Sequence, residues 1–466
     1  MFRKVKKVHF VGIGGIGMSG IAELLLNLDF KISGSDMMDS EIIERLHRLG
    51  ATIYKGHRGD QVRDCDVLVY SSAVQEDNPE LQAAREQGIP IIRRAEMLGE
   101  LIAVKELSIG VAGTHGKTTT TSMIGSVLST AGLDPTLVVG GLVKNIDTNS
   151  RLGAGSVIVV EADEFDRSFL ALRPTIAIVT NIELEHTDCY ADLEDLQGAF
   201  TQFCNSAPFY GAIIACLDSP GVQGILSEVK RPVTTYGFSN QAQFRAENIR
   251  YQESTTSFSV IQEGVVIGEI SLNSPGRHNV LNALAAVALG LEMGLEFTTI
   301  RDGLAAYPGV RRRFEIKGVT GDIMVVDDYA HHPTEVAATL QAARKGWDRR
   351  IVAVFQPHLF SRTRDFYREF ATAFLASDVL VVTDIYAARE LPQPGITGEM
   401  VAQAARESGH KQVSYVPDLD DLIPQLQALI RPGDMVITIG AGNIWRYSDK
   451  LYQVLEGSLP DQGNHG

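Results

Sequence analysis

The sequence has few cysteines and lacks any long apolar run. Among its 466 residues are four cysteines, and none of them forms a C-x-x-C pair: Cys65, Cys189, Cys204 and Cys216. This spacing argues against a disulfide framework and against a structural zinc cluster. No stretch approaches the ~20 consecutive apolar residues that a membrane-spanning helix requires. We therefore expect a soluble protein of the cytoplasm.

Positive charge is also in deficit. The chain has 57 acidic and 42 basic side chains, a formal net charge of -15. Such a surface repels polyanions, which argues against non-specific binding to nucleic acid or to an acidic membrane. The hydrophobic fraction of 44% is typical of globular proteins, and the length suggests about three domains.

Short apolar runs alternate with helical patterns, as in parallel β-α-β units. We predict an α/β protein of three domains at residues 1–105, 106–308 and 309–466. The first and last are Rossmann-like, and the central one is a P-loop ATPase-like domain with a small antiparallel β addition at residues 233–272. The predicted strands are VHFVGI, DFKISGSD, CDVLVYSS, IPIIR, LSIGVA, SVIVVEAD, TIAIVTN, GAIIACL, IMVVDDY, RIVAVFQP, VLVVTD and MVITIGAG.

A glycine-rich motif follows the first predicted strand and opens a helix. Its glycines are Gly12, Gly14, Gly15 and Gly17, and Asp36 follows after a second strand. Glycines let a backbone approach a pyrophosphate, and a helix N-terminus offers free N–H groups. A dinucleotide and a UDP-sugar share this pyrophosphate, and a tight turn without a ligand would look the same. The motif alone leaves these alternatives open.

A second motif, GTHGKT, lies between the strand LSIGVA and a helix. Its residues are Gly113, Thr114, His115, Gly116, Lys117 and Thr118. The backbone amides of such a loop cradle ATP phosphates, the lysine reaches the outer phosphates, and the threonine hydroxyl binds magnesium. Val111 stands where the general NTPase pattern has glycine, so this loop is a variant.

Acidic and other polar side chains follow two further buried strands. Glu161, Asp163 and Glu164 end one strand, and Asn181 and His186 follow the next. Oxygen ligands at strand ends beside a phosphate loop suit a hard divalent cation such as Mg²⁺. Solvated strand ends are the alternative interpretation.

These motifs, together with GRHNVLNALAA, RRRFE, DDYAHHPTE and FQPHLFSRT in that order, resemble those of the Mur ligases. The resemblance covers nearly the whole chain. It is closest to the members that join L-alanine to UDP-N-acetylmuramate through an acyl phosphate, in peptidoglycan precursor synthesis. It implies ATP and Mg²⁺ as cofactors, and a C-terminal domain that closes over ATP and binds the amino acid.

The resemblance also implies roles for individual residues. Lys117, Glu161 and His186 are the predicted catalytic residues, and Thr118, Glu161 and His186 the magnesium ligands. The predicted UDP-sugar site comprises Gly12, Gly14, Gly15, Gly17, Asp36 and Ser71. The predicted ATP site comprises Gly113, Thr114, His115, Gly116, Lys117, Thr118, Thr119, Asn279, Asn282, Arg313 and Asp328. The predicted amino-acid site comprises Tyr329, His331, His358 and Arg362.

Two departures from the family pattern bear on these roles. Relatives that add later amino acids use a carbamylated lysine, but residues 187–203 contain no lysine, and Leu359 stands where some members have arginine. Three other functions remain open: a nicotinamide-dependent oxidoreductase, a nucleotide sensor without catalysis, and a ligase that attaches a whole tripeptide to the same sugar.

Overall fold

The computed structural model describes residues 5–71, 73–103, 105–143, 148–185, 189–388 and 390–457. The chain folds into two compact units. One comprises Met1–Ile249, Phe258–Ser271 and Val280–Val310, and the other comprises Arg250–Ser257, Leu272–Asn279 and Arg311–Gly466. The described strands form three sheets, each within one of the three predicted domains. The domain boundaries at 105/106 and 308/309 remain predictions.

The first sheet is parallel and Rossmann-like. Its strands are β1 (Lys7–Val11), β2 (Lys31–Asp36), β3 (Thr52–Lys55), β4 (Val67–Tyr70) and β5 (Ile91–Arg93), in the order β3-β2-β1-β4-β5. The helices are α1 (Ile16–Asn27), α2 (Glu41–Arg48), α3 (Pro79–Glu86) and α4 (Arg94–Ile102). The strand order reverses between β1 and β4, where such sheets bind ligands. Helix α3 begins where the Asn78 side chain accepts the Glu80 N–H and a proline follows the cap.

The second sheet has ten strands. They are β6 (Leu107–Ala112), β7 (Thr136–Val143), β8 (Thr148–Arg151), β9 (Val157–Glu161), β10 (Ile176–Val179), β11 (Ala212–Cys216), β12 (Val233–Gly237), β13 (Phe244–Gln252), β14 (Thr255–Gln262) and β15 (Val265–Leu272). Their order is β15-β14-β13-β12-β11-β10-β6-β9-β7-β8. The helices are α5 (Lys117–Thr130), α6 (Leu193–Asn205), α7 (Pro220–Ile225), α8 (Arg277–Glu292) and α9 (Phe297–Ala305).

The antiparallel addition is smaller than predicted. Strands β13, β14 and β15 are neighbours joined by two-residue turns, which only antiparallel strands allow. Strand β12, however, pairs in parallel with β11, and β13 pairs in parallel with β12. The parallel sheet therefore continues into residues 233–252, where alternation of apolar and polar residues alone does not reveal the strand direction.

The third sheet belongs to the second unit. Its strands are β16 (Glu315–Thr320), β17 (Ile323–Asp328), β18 (Arg350–Phe355), β19 (Val379–Thr383), β20 (Val413–Val416) and β21 (Asp434–Ile439), in the order β16-β17-β21-β18-β19-β20. All pairs are parallel except β16 with β17. The helices are α10 (Pro333–Gly346), α11 (Phe360–Ala373), α12 (Glu399–Glu407), α13 (Leu422–Leu429) and α14 (Trp445–Gly457). Apolar clusters cover both faces of the sheet.

Each predicted strand is confirmed, and five strands outside residues 233–272 were missed. Three of the five, β3, β16 and β20, have mostly half-buried or exposed side chains. The other two, β7 and β8, pair at one end of the second sheet. Among the described residues, no helix is both long enough and apolar enough to cross a membrane.

Candidate active site

The glycine motif forms the tight turn between β1 and α1. Gly12 has a φ of +80°, which glycine adopts without strain. The N–H groups of Gly12 and Ile13 donate to the Ser35 carbonyl oxygen at 2.9 and 3.1 Å. The Gly14 N–H donates to Asp36 Oδ2 at 2.8 Å. The turn is thus fixed to the carboxyl end of β2 by three hydrogen bonds from its backbone N–H groups, two to a backbone oxygen and one to a side chain.

The other predicted sugar-site residues also lie at this turn. A Cβ atom on Gly12 would lie 3.3 Å from Ser71 Oγ, and one on Gly17 would overlap the Arg94 side chain. Gly15 precedes the first turn of α1 and has no side chain to cap it. The structure therefore brings Ser71 and Asp36 to the glycine turn. Their role in binding a sugar nucleotide remains a prediction.

The GTHGKT loop connects β6 to α5 and depends on two glycines with positive φ. Gly113 has a φ of +135° and Gly116 of +84°. The loop is fixed to the carboxyl end of β10: the His115 N–H donates to Asn181 Oδ1 at 2.8 Å, and Thr180 Oγ1 donates to the His115 carbonyl at 2.6 Å. A loop held this way keeps its shape, so its amides are ordered before a ligand arrives.

The Lys117 side chain is folded back against its own loop and is 12% exposed. Its Nζ donates to the carbonyl oxygens of Gly113 at 2.6 Å and Thr114 at 3.1 Å, and to Glu164 Oε2 at 2.7 Å. Burial lowers the pKa of Lys117, but the carboxylates of Glu164 and Asp163 outweigh burial and hold this pKa above its usual value. The ammonium is therefore charged and available to a phosphate.

Glu164 is the buried partner of this ammonium, with a side chain that is 1% exposed. Burial raises the pKa of Glu164 to about 7, although Lys117 acts in the opposite direction. The sequence placed Glu164 in an acidic cluster but gave no sign that it pairs with Lys117. The two residues are far apart in sequence and meet only because β9 lies beside β6.

Two of the three predicted magnesium ligands lie in contact. Thr118 Oγ1 is 3.0 Å from both carboxylate oxygens of Glu161, and Glu161 Oε2 accepts the Gly140 N–H at 2.6 Å. Burial raises the pKa of Glu161, while Lys117 opposes that shift. The third predicted ligand, His186, lies outside the described residues.

The remaining predicted ATP residues fall into both units. In the first, Asn282 Oδ1 accepts a hydrogen bond from Thr120 Oγ1 at 3.1 Å and would lie 2.6 Å from a Cβ atom on Gly116. Asn282 thus lies against the loop, and Thr119 is buried at the start of α5. In the second unit, Asn279 Nδ2 donates to the Pro275 carbonyl at 2.7 Å.

Arg313 and Asp328 lie close together in the second unit. Asp328 Oδ2 accepts the Phe314 N–H at 2.7 Å and Oδ1 accepts the Ala330 N–H at 2.8 Å. Burial raises the pKa of Asp328 to about 6, and the Arg313 guanidinium lowers it in part. That guanidinium also lies 5.2 Å from the centre of the Tyr329 ring.

The four predicted amino-acid residues meet at the carboxyl ends of β17 and β18. The ring centres of Tyr329 and His331 are 5.2 Å apart, and those of His331 and His358 are 6.0 Å apart. Arg362 Nη1 lies 3.2 Å from His358 Nδ1. Tyr386, which stacks on His358 at 5.9 Å, was missed although it follows the predicted strand VLVVTD. Ligands of open α/β sheets bind at such strand ends.

Family models match three successive parts of this chain. The Mur ligase family catalytic domain matches residues 7–106, the Mur ligase middle domain residues 111–290, and the Mur ligase glutamate ligase domain residues 312–442. The UDP-N-acetylmuramate–L-alanine ligase of Geotalea uraniireducens is 52% identical over 459 residues, which are 98% of this chain and 100% of that protein.

Two crystal structures are similar along their whole length. A UDP-N-acetylmuramate-alanine ligase from Thermotoga maritima has a TM-score of 0.82 at 30% identity, covering 97% of this chain and 100% of that one. A murein peptide ligase from Psychrobacter arcticus has a TM-score of 0.70 at 26% identity, covering 98% and 100%. The three-domain α/β fold is thereby confirmed, and this chain belongs to the Mur ligase family.

Proposed function

We propose that this protein is an ATP-dependent ligase that joins L-alanine to the carboxylate of UDP-N-acetylmuramate in peptidoglycan precursor synthesis. The products are UDP-N-acetylmuramoyl-L-alanine, ADP and phosphate. The observation that carries the proposal is 52% identity across almost the entire chain to a ligase of that name. We place the reaction in the cytoplasm, with small molecules as the partners and no nucleic acid.

The glycine turn after β1 is the proposed site of the UDP pyrophosphate. Helix α1 begins there, and the partial positive charge at a helix N-terminus favours an anion. Gly12, Gly14, Gly15 and Gly17 are the proposed contacts of the pyrophosphate, and Asp36 and Ser71 are proposed contacts of the nucleoside and sugar. The domain of residues 1–105 would thus bind the UDP-sugar.

The GTHGKT loop is the proposed site of the ATP phosphates. The loop leads directly into the N-terminus of α5, and the Lys117 ammonium can leave two carbonyl oxygens for the stronger charge of a phosphate. Asn282 lies against the loop, and we assign Asn279, Arg313 and Asp328 to the nucleotide by resemblance. The domain of residues 106–308 would bind ATP.

The residues beside Lys117 fit Mg²⁺. The Thr118 hydroxyl and the Glu161 carboxylate are hard oxygen donors 3.0 Å apart, and His186 would complete the set by resemblance. When bound, Mg²⁺ supplies neutralisation of charge on the transferring phosphate group. Glu161 is oriented for this role by the Gly140 N–H, which holds one of its oxygens.

Amide formation needs an activated carboxylate. A carboxylate oxygen of the sugar attacks the γ-phosphorus of ATP, the bond to the β-γ bridging oxygen breaks, and ADP leaves. The alanine nitrogen then attacks the acyl carbon, phosphate leaves, and the nitrogen loses a proton. No side-chain nucleophile takes part, so the chain's contribution is positioning and charge neutralisation.

The amino-acid site is proposed at the ends of β17 and β18. Arg362 offers a cation for the alanine carboxylate, and Tyr329 offers an apolar wall for a methyl group. His331 and His358, with ring centres 6.0 Å apart, are the candidate bases that accept the proton of the amine. The domain of residues 309–466 would hold this substrate.

The test is phosphate release from ATP with Mg²⁺ and UDP-N-acetylmuramate, with product identification by mass spectrometry. L-Alanine, glycine, L-serine, D-glutamate and the tripeptide are added one at a time. We expect the strongest stimulation from L-alanine, and weaker use of glycine because one methyl group contributes only ~1–3 kcal/mol. Lys117→Met should abolish turnover, while Lys230→Met, at an exposed lysine of the same unit, should not.

Each alternative function has its own outcome. Stimulation by the tripeptide alone would reassign the chain to peptide ligation, the activity named for the 26% identical relative. Binding of NAD with hydride transfer would favour an oxidoreductase. ATP binding without stimulated phosphate release would favour a nucleotide sensor. Carboxylate oxygen-18 that fails to reach the released phosphate would exclude the acyl-phosphate route.

A further inference from the structure

A buried carboxylate lies behind the glycine turn and has no place in the proposed reaction. The side chain of Glu80, on α3, is 0% exposed. Its Oε2 accepts from His9 Nε2 at 2.9 Å and from Ser35 Oγ at 2.8 Å. Its Oε1 lies 3.2 Å from His57 Nδ1 and accepts the Arg58 N–H at 3.3 Å. Partners from β1, from β2 and from the segment after β3 thus meet at one carboxylate.

Such a group needs an explanation. Burial of a carboxylate is unfavourable unless hydrogen bonds replace its water. Here both oxygens have two partners each, so the site is fully satisfied. An apolar residue on α3, with apolar partners in place of His9, Ser35 and His57, would pack there without these requirements. The arrangement is therefore expected to fix the position of the groups that surround the carboxylate.

The group it fixes most directly is Ser35. The Ser35 hydroxyl donates to Glu80 and lies 2.9 Å from His57 Nδ1, so the side chain is held from two sides. The backbone oxygen of the same residue accepts the N–H groups of Gly12 and Ile13. Ser35 thus contacts both the buried carboxylate and the glycine turn.

We propose that Glu80 is a positioning residue for the UDP-sugar site, which through Ser35 holds the turn at Gly12 in the conformation that receives the pyrophosphate. The inference rests on the proposed function in one respect, that this turn binds the UDP moiety. Glycine loses more backbone entropy on ordering than any other residue, so a turn that is already ordered binds more tightly. Glu80 itself touches no substrate.

The test is a double-mutant cycle of Glu80→Gln and Ser35→Ala. Ser35→Ala removes the hydrogen bond between the two residues and Glu80→Gln removes its negative charge, and we expect the KM for UDP-N-acetylmuramate to rise about tenfold in each. The KM values for ATP and L-alanine and the kcat should stay within about twofold of the wild type. The double variant should resemble either single variant, because both changes break the same link.

Glu86→Gln is the matched control, since Glu86 is exposed on the same helix. It should leave every kinetic constant unchanged. A role of Glu80 in stability alone would lower the melting temperature and leave the KM for the UDP-sugar unaltered. That result, or effects of the two single variants on the KM for the UDP-sugar that multiply in the double variant, would overturn the inference.

Calorimetric measurement of UDP and ADP binding separates a failure of the role proposed for Glu80 from a failure of the proposed function. If Glu80→Gln does not fold, Ser35→Ala carries the test, with a weaker Kd for UDP and an unchanged Kd for ADP expected. If the wild type binds UDP but forms no amide, the proposed function fails and the Kd comparison still decides the inference. A wild type that binds no UDP would overturn both.

Discussion

Replacement of Lys117 by methionine is expected to destabilise the protein by an amount that grows with pH. The ammonium of Lys117 lies 2.7 Å from Glu164 Oε2, and Glu164 is 1% exposed. Loss of one partner of a buried ion pair usually lowers the free energy of unfolding by about 3–5 kcal/mol. The carboxylate left behind can reduce this loss by taking up a proton, so the size of the effect depends on pH.

The pH window follows from the pKa of Glu164, which burial raises from 4.5 to about 7. In the wild type above pH 7, Glu164 has released its proton in both the folded and the unfolded state. Without Lys117 its folded pKa rises further, so the folded variant keeps a proton that the unfolded chain has lost. Stability then falls by about 1.4 kcal/mol for each pH unit.

The free-energy gap between wild type and Lys117→Met should therefore be flat from pH 5.5 to 7 and widen by about 2 kcal/mol from pH 7 to 8.5. Urea unfolding followed by far-ultraviolet circular dichroism measures this gap. Titrating groups away from Lys117 are common to both chains and cancel, but Lys117 also lowers the pKa of Glu161, so Glu161 adds to the widening. In Lys117→Met/Glu164→Gln the widening should shrink by the share that Glu164 contributes, and Lys230→Met should show none. A constant gap, or one that widens equally in the double variant, would refute the pairing.

Three further changes test the proposed sites. Thr118→Val removes a proposed magnesium ligand and should raise the Mg²⁺ concentration for half-maximal turnover at least about tenfold. Thr118→Ser keeps the hydroxyl and should leave this concentration unchanged. Gly116→Ala forces a side chain into a φ of +84° and towards Asn282, and urea unfolding should show a loss of about 1–2 kcal/mol. Arg362→Lys, beside His358, should raise the KM for L-alanine roughly tenfold and leave the KM for ATP unchanged, because lysine cannot reproduce the guanidinium geometry.

The fold was predictable wherever a local pattern carries the signal. Buried parallel strands show continuous apolar runs, as in VLVVTD and SVIVVEAD, and each such run became a strand. Strands such as β3 and β20 lack this signal because only part of each is buried, and their position depends on the strand beside them. The direction of β12 was misjudged because alternation of apolar and polar residues does not show whether a strand is parallel or antiparallel to its neighbour.

The candidate site was predictable where the backbone itself must take an unusual form. Gly113 and Gly116 have positive φ, and glycine at these places in the sequence already indicates a phosphate loop. The contacts between Asn282 and the loop, or between Tyr386 and His358, join residues far apart in the chain. No local spacing encodes them, and the resemblance only assigned Asn282 to the ATP site.

The buried carboxylates of Glu80 and Glu164 act in a similar way, which the sequence could not show. Each holds a glycine-rich turn through one intermediary: Glu80 acts through Ser35 on the turn at Gly12, and Glu164 through Lys117 on the carbonyl of Gly113. Glycines are needed so that phosphates can approach the backbone, yet they also increase the conformational freedom of a loop. A buried acid from a neighbouring element restores order without filling the space left by the missing side chains. The positions of such acids are set by which elements become neighbours in each sheet, so they become visible only in the folded chain.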